Sequence, residues 1–136
     1  MSRTHAALLA AAFAAASFAA AAPAQEAGDA PIPLEEWRAM TAGKTLSYEI
    51  DGAFWGREYY HADRDVATFV TRDGDCVTAP WVYAEGLYCF SYRGMECFRH
   101  IRRDGRIFVA PLSGGAEQEV RRIEVAPLSC EPPLSS

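Results

Sequence analysis

From residue 45 onward, apolar and polar residues alternate in short runs that are rich in β-branched and aromatic side chains. Turn-forming pairs separate the runs, at Asp51-Gly52, Asp73-Gly74, Glu85-Gly86, Arg93-Gly94 and Asp104-Gly105. Because Asp-Gly between such runs is a strong hairpin signal, we expect consecutive antiparallel strands. The predicted strands are 45–50, 57–61, 66–71, 76–83, 87–92, 96–102, 107–112 and 120–125. Their regular spacing predicts an all-β fold, a small antiparallel meander barrel or roll.

A short helix is predicted before the strands. Residues 34–40 carry two acidic residues in the first turn, and Leu34, Trp37 and Met40 recur at a helical spacing. Gly43 follows this pattern and is typical of a helix end. The sequence therefore predicts a β domain that is preceded by one amphipathic N-terminal helix.

The first 24 residues resemble a secretion signal. Arg3 precedes an Ala-dominated run over 6–22, and Ala22-Pro23-Ala24 forms an A-x-A cleavage site. The alternative is an uncleaved membrane anchor, but a span needs about 20 apolar residues and this run is shorter and mostly alanine. We therefore predict a periplasmic or secreted protein that starts at Gln25 and keeps no stable membrane anchor after signal cleavage.

The mature chain is expected to form one domain. Removal of 24 of the 136 residues leaves 112, which is enough for a single small core. Residues 25–33 are rich in Ala, Gly, Pro and acid, a composition that favours a flexible lead-in. We assign 34–131 to the β domain and 132–136 to a C-terminal tail.

Charge disfavours nucleic acid as a partner. The formal net charge is −5, and loss of Arg3 with the signal makes it −6. Four arginines crowd one segment, Arg99, Arg102, Arg103 and Arg106. They would form either an anion-binding patch or, as is more common, a solvated strand edge and turn.

Hairpin register predicts one disulfide directly. If the chain reverses around Arg93, Cys89 lies opposite Cys97 on the neighbouring strand, close enough for a bridge. The hairpin before it, reversed around Glu85, places Trp81 opposite Cys89.

That register leaves Cys76 too far along its strand to meet Cys89, so Cys76 is expected to pair with Cys130. Such a bridge would tie the C-terminal segment to the sheet. A zinc site is the alternative, but the cysteines lack the close pair of zinc knuckles. We therefore expect no metal and no cofactor.

Several segments spread over the mature chain resemble one family. They are Glu35-Glu36-Trp37, Gly43-Lys44-Thr45-Leu46-Ser47-Tyr48, Gly56-Arg57-Glu58-Tyr59-Tyr60, Asp73-Gly74-Asp75-Cys76, Tyr88-Cys89-Phe90-Ser91-Tyr92, Cys97-Phe98 and Leu128-Ser129-Cys130. The sequence is similar to a family of small secreted bacterial proteins of unknown function, with the pattern GKTLTY, YGxEQY, DGECxxGxW, ICFxY, CW and a final LxC.

The sequence departs from this pattern at two places. Ala79-Pro80 stand where a Gly usually precedes the Trp, here Trp81, and Phe98 replaces the Trp after the third cysteine. The resemblance implies secretion and a shared disulfide frame. It implies no activity and no catalytic residue.

No catalytic residue is predicted. His61 precedes Asp63, so a carboxylate-oriented base is conceivable, but a strand-end histidine near a turn is usually solvated. His100 alternates with Phe98 on an aromatic face and is interpreted as a packing residue. The serines lack a nucleophile elbow and the cysteines are expected to be oxidised, so no nucleophile is apparent.

The aromatic residues are the more informative set, because few of the three Trp, six Tyr and seven Phe fall in the signal. We expect Trp81 and Tyr83 to share one face of the central hairpins, and Tyr88, Phe90 and Tyr92 to share the other. One face would form the core. The other would be covered by the helix and tail, or exposed as a binding surface.

Two function classes follow from these patterns. The favoured one is a non-catalytic binding module, either an inhibitor or envelope partner of an unknown protein or a carrier of a small apolar ligand. Trp, Tyr and Arg dominate binding energy at interfaces. The binding-surface candidates are therefore Trp81, Tyr88, Tyr92, Arg99 and Arg102. The alternative is a hydrolytic enzyme with an unrecognised site near His61 and His100.

The secretion signal and the even cysteine count generate a first prediction. Protein purified from the periplasm should start at or near Gln25 and contain no reactive thiol. Intact mass and thiol labelling under non-reducing conditions measure both. Two or more reactive thiols would contradict the disulfide frame, and a peptide joining Cys76 to Cys97 would show that the turn around Arg93 is misplaced.

Overall fold

The computed structural model describes residues 28–131, so the predicted signal and the predicted tail lie outside the described residues. The described chain forms nine strands and one helix. They are β1 (Ala30–Pro31), α1 (Leu34–Thr41), β2 (Thr45–Ile50), β3 (Ala53–Tyr60), β4 (Val66–Thr71), β5 (Cys76–Ala84), β6 (Leu87–Phe90), β7 (Glu96–Arg103), β8 (Arg106–Pro111) and β9 (Gln118–Glu124).

Strands β2 to β9 close into an antiparallel barrel. Each strand pairs with the next one in the chain, and β9 returns to pair with β2. The closing pairs run from Thr45 opposite Glu124 to Glu49 opposite Glu119, with one register shift after Ser47. The predicted all-β meander barrel with a preceding helix is thus confirmed, as a closed barrel of eight strands.

Two-residue turns shape three of the hairpins. Asp51-Gly52, Glu85-Gly86 and Asp104-Gly105 have positive φ at both residues, from 49° at Asp51 to 80° at Gly86. This is the geometry of turns that match the right-handed twist of paired strands. Because Asp51-Gly52 is so tight, β3 begins directly after it at Ala53, earlier than the predicted residue 57.

The β5–β6 hairpin differs from the sequence expectation by one residue. Ala84 lies opposite Leu87 across the Glu85-Gly86 turn, so Cys89 lies opposite Val82 and not opposite Trp81. A slip of one residue moves every side chain of a strand to the other face. Trp81 therefore shares a face with its partner Phe90, and the expectation of two separate aromatic faces is wrong.

Two disulfides staple the barrel, and they join the same pairs that hairpin register indicated. Cys89 and Cys97 are directly opposite in the β6–β7 ladder and are bonded. Cys76 at the start of β5 is bonded to Cys130, which ties the C-terminal segment to the barrel wall. All four cysteines of the chain are used.

The expectation of a flexible lead-in over 25–33 is wrong for its described part. Ala30 and Pro31 form β1, which pairs with β7 just beyond the start of β6. Ile32 is buried, and its N–H donates to the His100 carbonyl oxygen at 2.9 Å. One apolar side chain anchors a segment whose composition otherwise favours disorder.

Helix α1 closes one end of the barrel. Trp37 is fully buried, and its ring packs on Tyr60 and Tyr88 with centroids 5.7 Å away in each case. The His100 ring is closer to Trp37, with a centroid distance of 4.0 Å. Tyr60 ends β3 and Tyr88 lies near the start of β6, so this end of the interior is filled with aromatic rings.

A close approach between β3 and β4 generates a second prediction. A Cβ atom at Gly56 would lie 2.7 Å from the Val70 carbonyl oxygen and 2.8 Å from the Phe69 ring. Gly56→Ala should therefore destabilise the protein by about 1–3 kcal/mol, measured as the free energy of urea unfolding.

Gly115→Ala is the matched control. There the nearest atom to a new Cβ is 3.6 Å away, an ordinary contact. We expect a change of less than about 0.5 kcal/mol. Equal stability of the two variants would contradict the tight β3–β4 packing.

Candidate ligand-binding cavity

The barrel interior contains a cavity of about 360 Å³ at the end opposite α1. Its wall includes Trp55 near the start of β3 and Thr71 at the end of β4, whereas α1 packs at the end of β3. All eight barrel strands contribute to the lining. One residue from each, in chain order, is Tyr48, Glu58, Phe69, Val77, Phe90, Phe98, Val109 and Gln118.

Strand alternation determines which side chains reach the cavity. In β3, Gly56, Glu58 and Tyr60 are buried, while Arg57 and Tyr59 between them are only half-buried. Residues two apart in a strand project to the same side. Glu58 therefore points into the barrel because it shares a face with Gly56 and Tyr60.

Glu58 is a buried carboxyl held by tyrosine hydroxyls. Only 6% of the residue is exposed. Tyr48 donates to Oε1 at 2.7 Å, and Tyr92 donates to Oε2 at 2.6 Å. The Tyr60 hydroxyl faces the same carboxyl but lacks the geometry of a hydrogen bond. Both carboxyl oxygens are thus fixed by donors from different parts of the wall.

Burial changes the protonation behaviour of this group. It raises the pKa of the Glu58 carboxyl above its ordinary value, and the surrounding hydroxyls oppose that rise. Burial and the neighbouring Glu58 carboxyl also raise the pKa of Tyr48 and Tyr92. Both phenols consequently stay protonated at neutral pH and act as donors.

His100 is the second buried polar side chain in the cavity wall. It is 1% exposed, and within residues 28–131 neither ring nitrogen has a hydrogen-bond partner. Its ring lies parallel to Tyr88 at a centroid distance of 3.9 Å. Burial lowers the pKa of His100 well below its usual range, so the ring is neutral. A neutral imidazole offers one donor and one acceptor.

The mouth of the cavity carries charges of both signs. Arg72, Asp73, Asp75, Arg93 and Glu96 belong to its lining. The Arg93 guanidinium nitrogen Nη2 lies 3.8 Å from the Asp75 carboxylate oxygen Oδ2, and both side chains are largely exposed. Exposed pairs of this kind contribute little to stability. The interior below them is mainly aromatic.

The predicted aromatic candidates lie inside the barrel. Trp81 and Tyr88 are 4% and 0% exposed, so they belong to the core beneath α1 and not to an exposed face. Tyr92 lines the cavity and binds Glu58. The aromatic set thus surrounds an interior space, because the β5–β6 register turns all of these rings to one side.

The arginines are separate from that aromatic set. Arg102 pairs with Glu36, Arg103 with Asp29 and Glu117, and Arg106 with Glu119. Arg99 is exposed and lies opposite Ala110 in the β7–β8 ladder. Because three of the four arginines contact carboxylates, the structure favours the solvated strand edge over the anion-binding patch.

His61 and His100 lie on opposite sides of the barrel wall. His61 shares the outward side with Tyr59, and its Nε2 lies 3.1 Å from the Thr68 hydroxyl. Burial, and next the nearby Arg64, lower the pKa of His61. His100 points inward. The two histidines therefore do not meet in one site.

Glu58 is the candidate site residue that sequence reasoning missed. The available signal was its position in β3, midway between Gly56 and Tyr60 on the face that the alternation makes internal. An acidic residue on a predicted core face is unusual enough to be a candidate for a functional site.

No family model, no curated protein and no solved structure matches the chain. The resemblance to a family of small secreted bacterial proteins thus stays a prediction. Over the described part of the chain, no helix is long and apolar enough to cross a membrane. Within the same residues, no group of three or more His, Cys, Asp or Glu side chains is placed to hold a metal ion.

The buried histidine generates a third prediction, on pH. Because the pKa of folded His100 lies below that of the unfolded chain, the unfolded state binds more protons as the pH falls. The contribution of neutral His100 to the free energy of unfolding should be complete above the pKa of the unfolded chain and be lost progressively as the pH falls below it. One proton with an unfolded pKa of about 6.5 accounts for at most about 1.4 kcal/mol between pH 7.5 and 5.5.

Urea unfolding at these two pH values measures this loss. The His100→Phe variant should show little of this pH-dependent loss of stability. His61 is only half-buried, so the His61→Asn variant should still show most of the loss. Glu58 titrates with the opposite sign because its folded pKa is raised, but it is present in all three proteins. A pH dependence in His100→Phe equal to that of the unmodified protein would contradict the assignment.

Proposed function

We propose that the protein is a non-catalytic binding module that carries one small, mostly apolar ligand inside its barrel, and that it works in the periplasm or outside the cell. The observation behind this proposal is the aromatic cavity of about 360 Å³ at the end of the barrel opposite α1. Pockets for small ligands start at about 300 Å³ and combine apolar walls with a few polar groups. Closed barrels of eight strands have room for one such ligand.

The cavity supports a ligand carrier more than a protein inhibitor. Trp81 and Tyr88, which would anchor a protein partner, are buried. The residues that line the cavity include five rings that face a shared space, those of Tyr48, Phe69, Phe90, Tyr92 and Phe98. Rings arranged around a space bind a ligand that enters it, whereas interface anchors need to be exposed.

The hydrolase alternative finds less support. Its two histidines lie on opposite sides of the wall, so they cannot act on one bond. Within the described residues His100 makes no hydrogen bond, and thus none to the Glu58 carboxyl, which a base and its orienting partner would require.

The proposed location rests on the disulfides and on the signal-like N-terminus. Two disulfides are formed, and such bonds persist in oxidising compartments. Residues 1–24 carry the features of a cleaved secretion signal. A small carrier outside the cytoplasm agrees with both.

A fourth prediction tests the cavity with a neutral fluorescent probe, N-phenyl-1-naphthylamine. Val77 lines the cavity from β5, so the larger ring of Val77→Phe would occupy part of it and should weaken probe binding by about tenfold or more. Val82 lies on the outer face of the same strand and is 53% exposed. Val82→Phe is therefore the matched control and should leave the affinity within about twofold.

Fluorescence titration gives affinity and stoichiometry, and circular dichroism shows whether each variant is folded. One probe per protein, lost in Val77→Phe alone, supports the proposal. Unchanged binding to a folded Val77→Phe variant would refute it. Native mass spectrometry of protein from its own periplasm would then identify the ligand that it retains.

A further inference from the structure

The deep part of the cavity combines an acid with aromatic walls. Glu58 is buried there, and within residues 28–131 no Lys, Arg or His side chain forms an ion pair with it. The acids at the mouth, Asp73, Asp75 and Glu96, are exposed to water. A buried carboxyl without a cation is costly to keep in a protein interior, which points to a role beyond packing.

The carboxyl has unused capacity. A carboxylate can accept about four hydrogen bonds, and the described side chains supply two, from Tyr48 and Tyr92. The Tyr60 hydroxyl faces the same carboxyl and can take one of the remaining sites, which still leaves one for a further donor. Because its two oxygens are held on different tyrosines, the group is already oriented before any ligand arrives.

The rings next to Glu58 form a connected wall. Tyr48 and Phe69 have centroids 6.4 Å apart, Phe69 and Tyr92 5.8 Å, and Tyr92 and Phe90 5.5 Å. Aromatic faces attract ammonium groups through the negative charge of their π systems, and more strongly where water is excluded. Rings beside an acid are a favourable environment for an organic cation.

The remaining charges in the cavity do not reverse this preference. Within the described residues His100 has no hydrogen-bond partner, and burial keeps its ring neutral, so it adds no positive charge. Arg72 and Arg93 lie at the mouth together with three acids. An anionic ligand would have to bring its charge next to Glu58 without a compensating cation in the deep cavity.

We propose that the ligand is an organic amine whose protonated nitrogen lies against the Glu58 carboxyl, inside the wall formed by Tyr48, Phe69, Phe90 and Tyr92. This inference rests on the proposed function and specifies the substrate class of the same cavity. Burial of the carboxyl permits a competing arrangement, in which a protonated Glu58 donates to the oxygen of a neutral ligand. The two arrangements differ in the charge of the ligand that binds best.

A fifth prediction compares three probes of similar shape at pH 7.5. They are 2-phenylethylamine, which is a cation, 2-phenylethanol, which is neutral, and phenylacetate, which is an anion. Each is titrated to displace N-phenyl-1-naphthylamine from the purified protein. The amine should bind about tenfold more tightly than the alcohol, and phenylacetate should bind more weakly than both.

Two variants assign the preference to one side chain. Glu58→Gln keeps the shape and removes the charge, so the amine and the alcohol should bind within about twofold of each other. Glu85→Gln removes an exposed charge in the β5–β6 turn, outside the cavity lining, and is the matched control, in which the preference for the amine should persist. The comparison of amine and alcohol on the unmodified protein stands even if Glu58→Gln does not fold.

The outcomes separate this inference from the proposed function. If N-phenyl-1-naphthylamine binds and Val77→Phe abolishes the binding, the cavity is a ligand site whatever the amine does. Equal displacement by amine and alcohol, or tighter displacement by the alcohol, would then overturn the amine assignment alone. A preference for the amine that survives in Glu58→Gln would also overturn it.

Discussion

The pairing of β2 with β9 is the contact on which the rest of the structure depends. It joins the first and last strands of the barrel, from Thr45 opposite Glu124 to Glu49 opposite Glu119. Closure removes the free edges of these strands and turns one face of every strand into an interior. Without it, Tyr48, Glu58 and His100 would lie on the face of an open sheet in contact with water. The cavity is therefore a property of the closed barrel and not of any one hairpin.

Closure also explains why the interior is packed at one end and open at the other. Helix α1 precedes β2, so its Trp37 enters the barrel at the end where β2 starts, and it packs there on Tyr60 and Tyr88. No second helix of the described residues lies at the opposite end, where the cavity opens between the β4–β5 turn and the β6–β7 turn. The end beneath α1 thus holds the apolar core, and the opposite end holds the candidate site.

The sequence predicted the wall of the barrel better than its contents. Turn pairs and alternation located the eight barrel strands, and the turn around Arg93 placed Cys89 opposite Cys97. The predicted β5–β6 register was wrong by one residue, because the Glu85-Gly86 pair alone does not show which residues on either side of the turn lie opposite each other. Ladder closure is a contact between distant segments that no local pattern encodes, and it decides that Glu58 faces a cavity.

The polar groups of the interior are the observation that most favours the proposed ligand site. A barrel of this size can be filled by side chains, and a filled interior would favour Leu, Ile or Val where the protein has Glu58 and His100. Burying a carboxyl and an imidazole without a full set of partners lowers stability. Buried polar groups of this kind are commonly found at binding or catalytic sites, since departures from good packing concentrate at functional sites. The disulfides Cys76–Cys130 and Cys89–Cys97 offset part of that cost at the barrel wall, so the fold can keep polar groups in its interior.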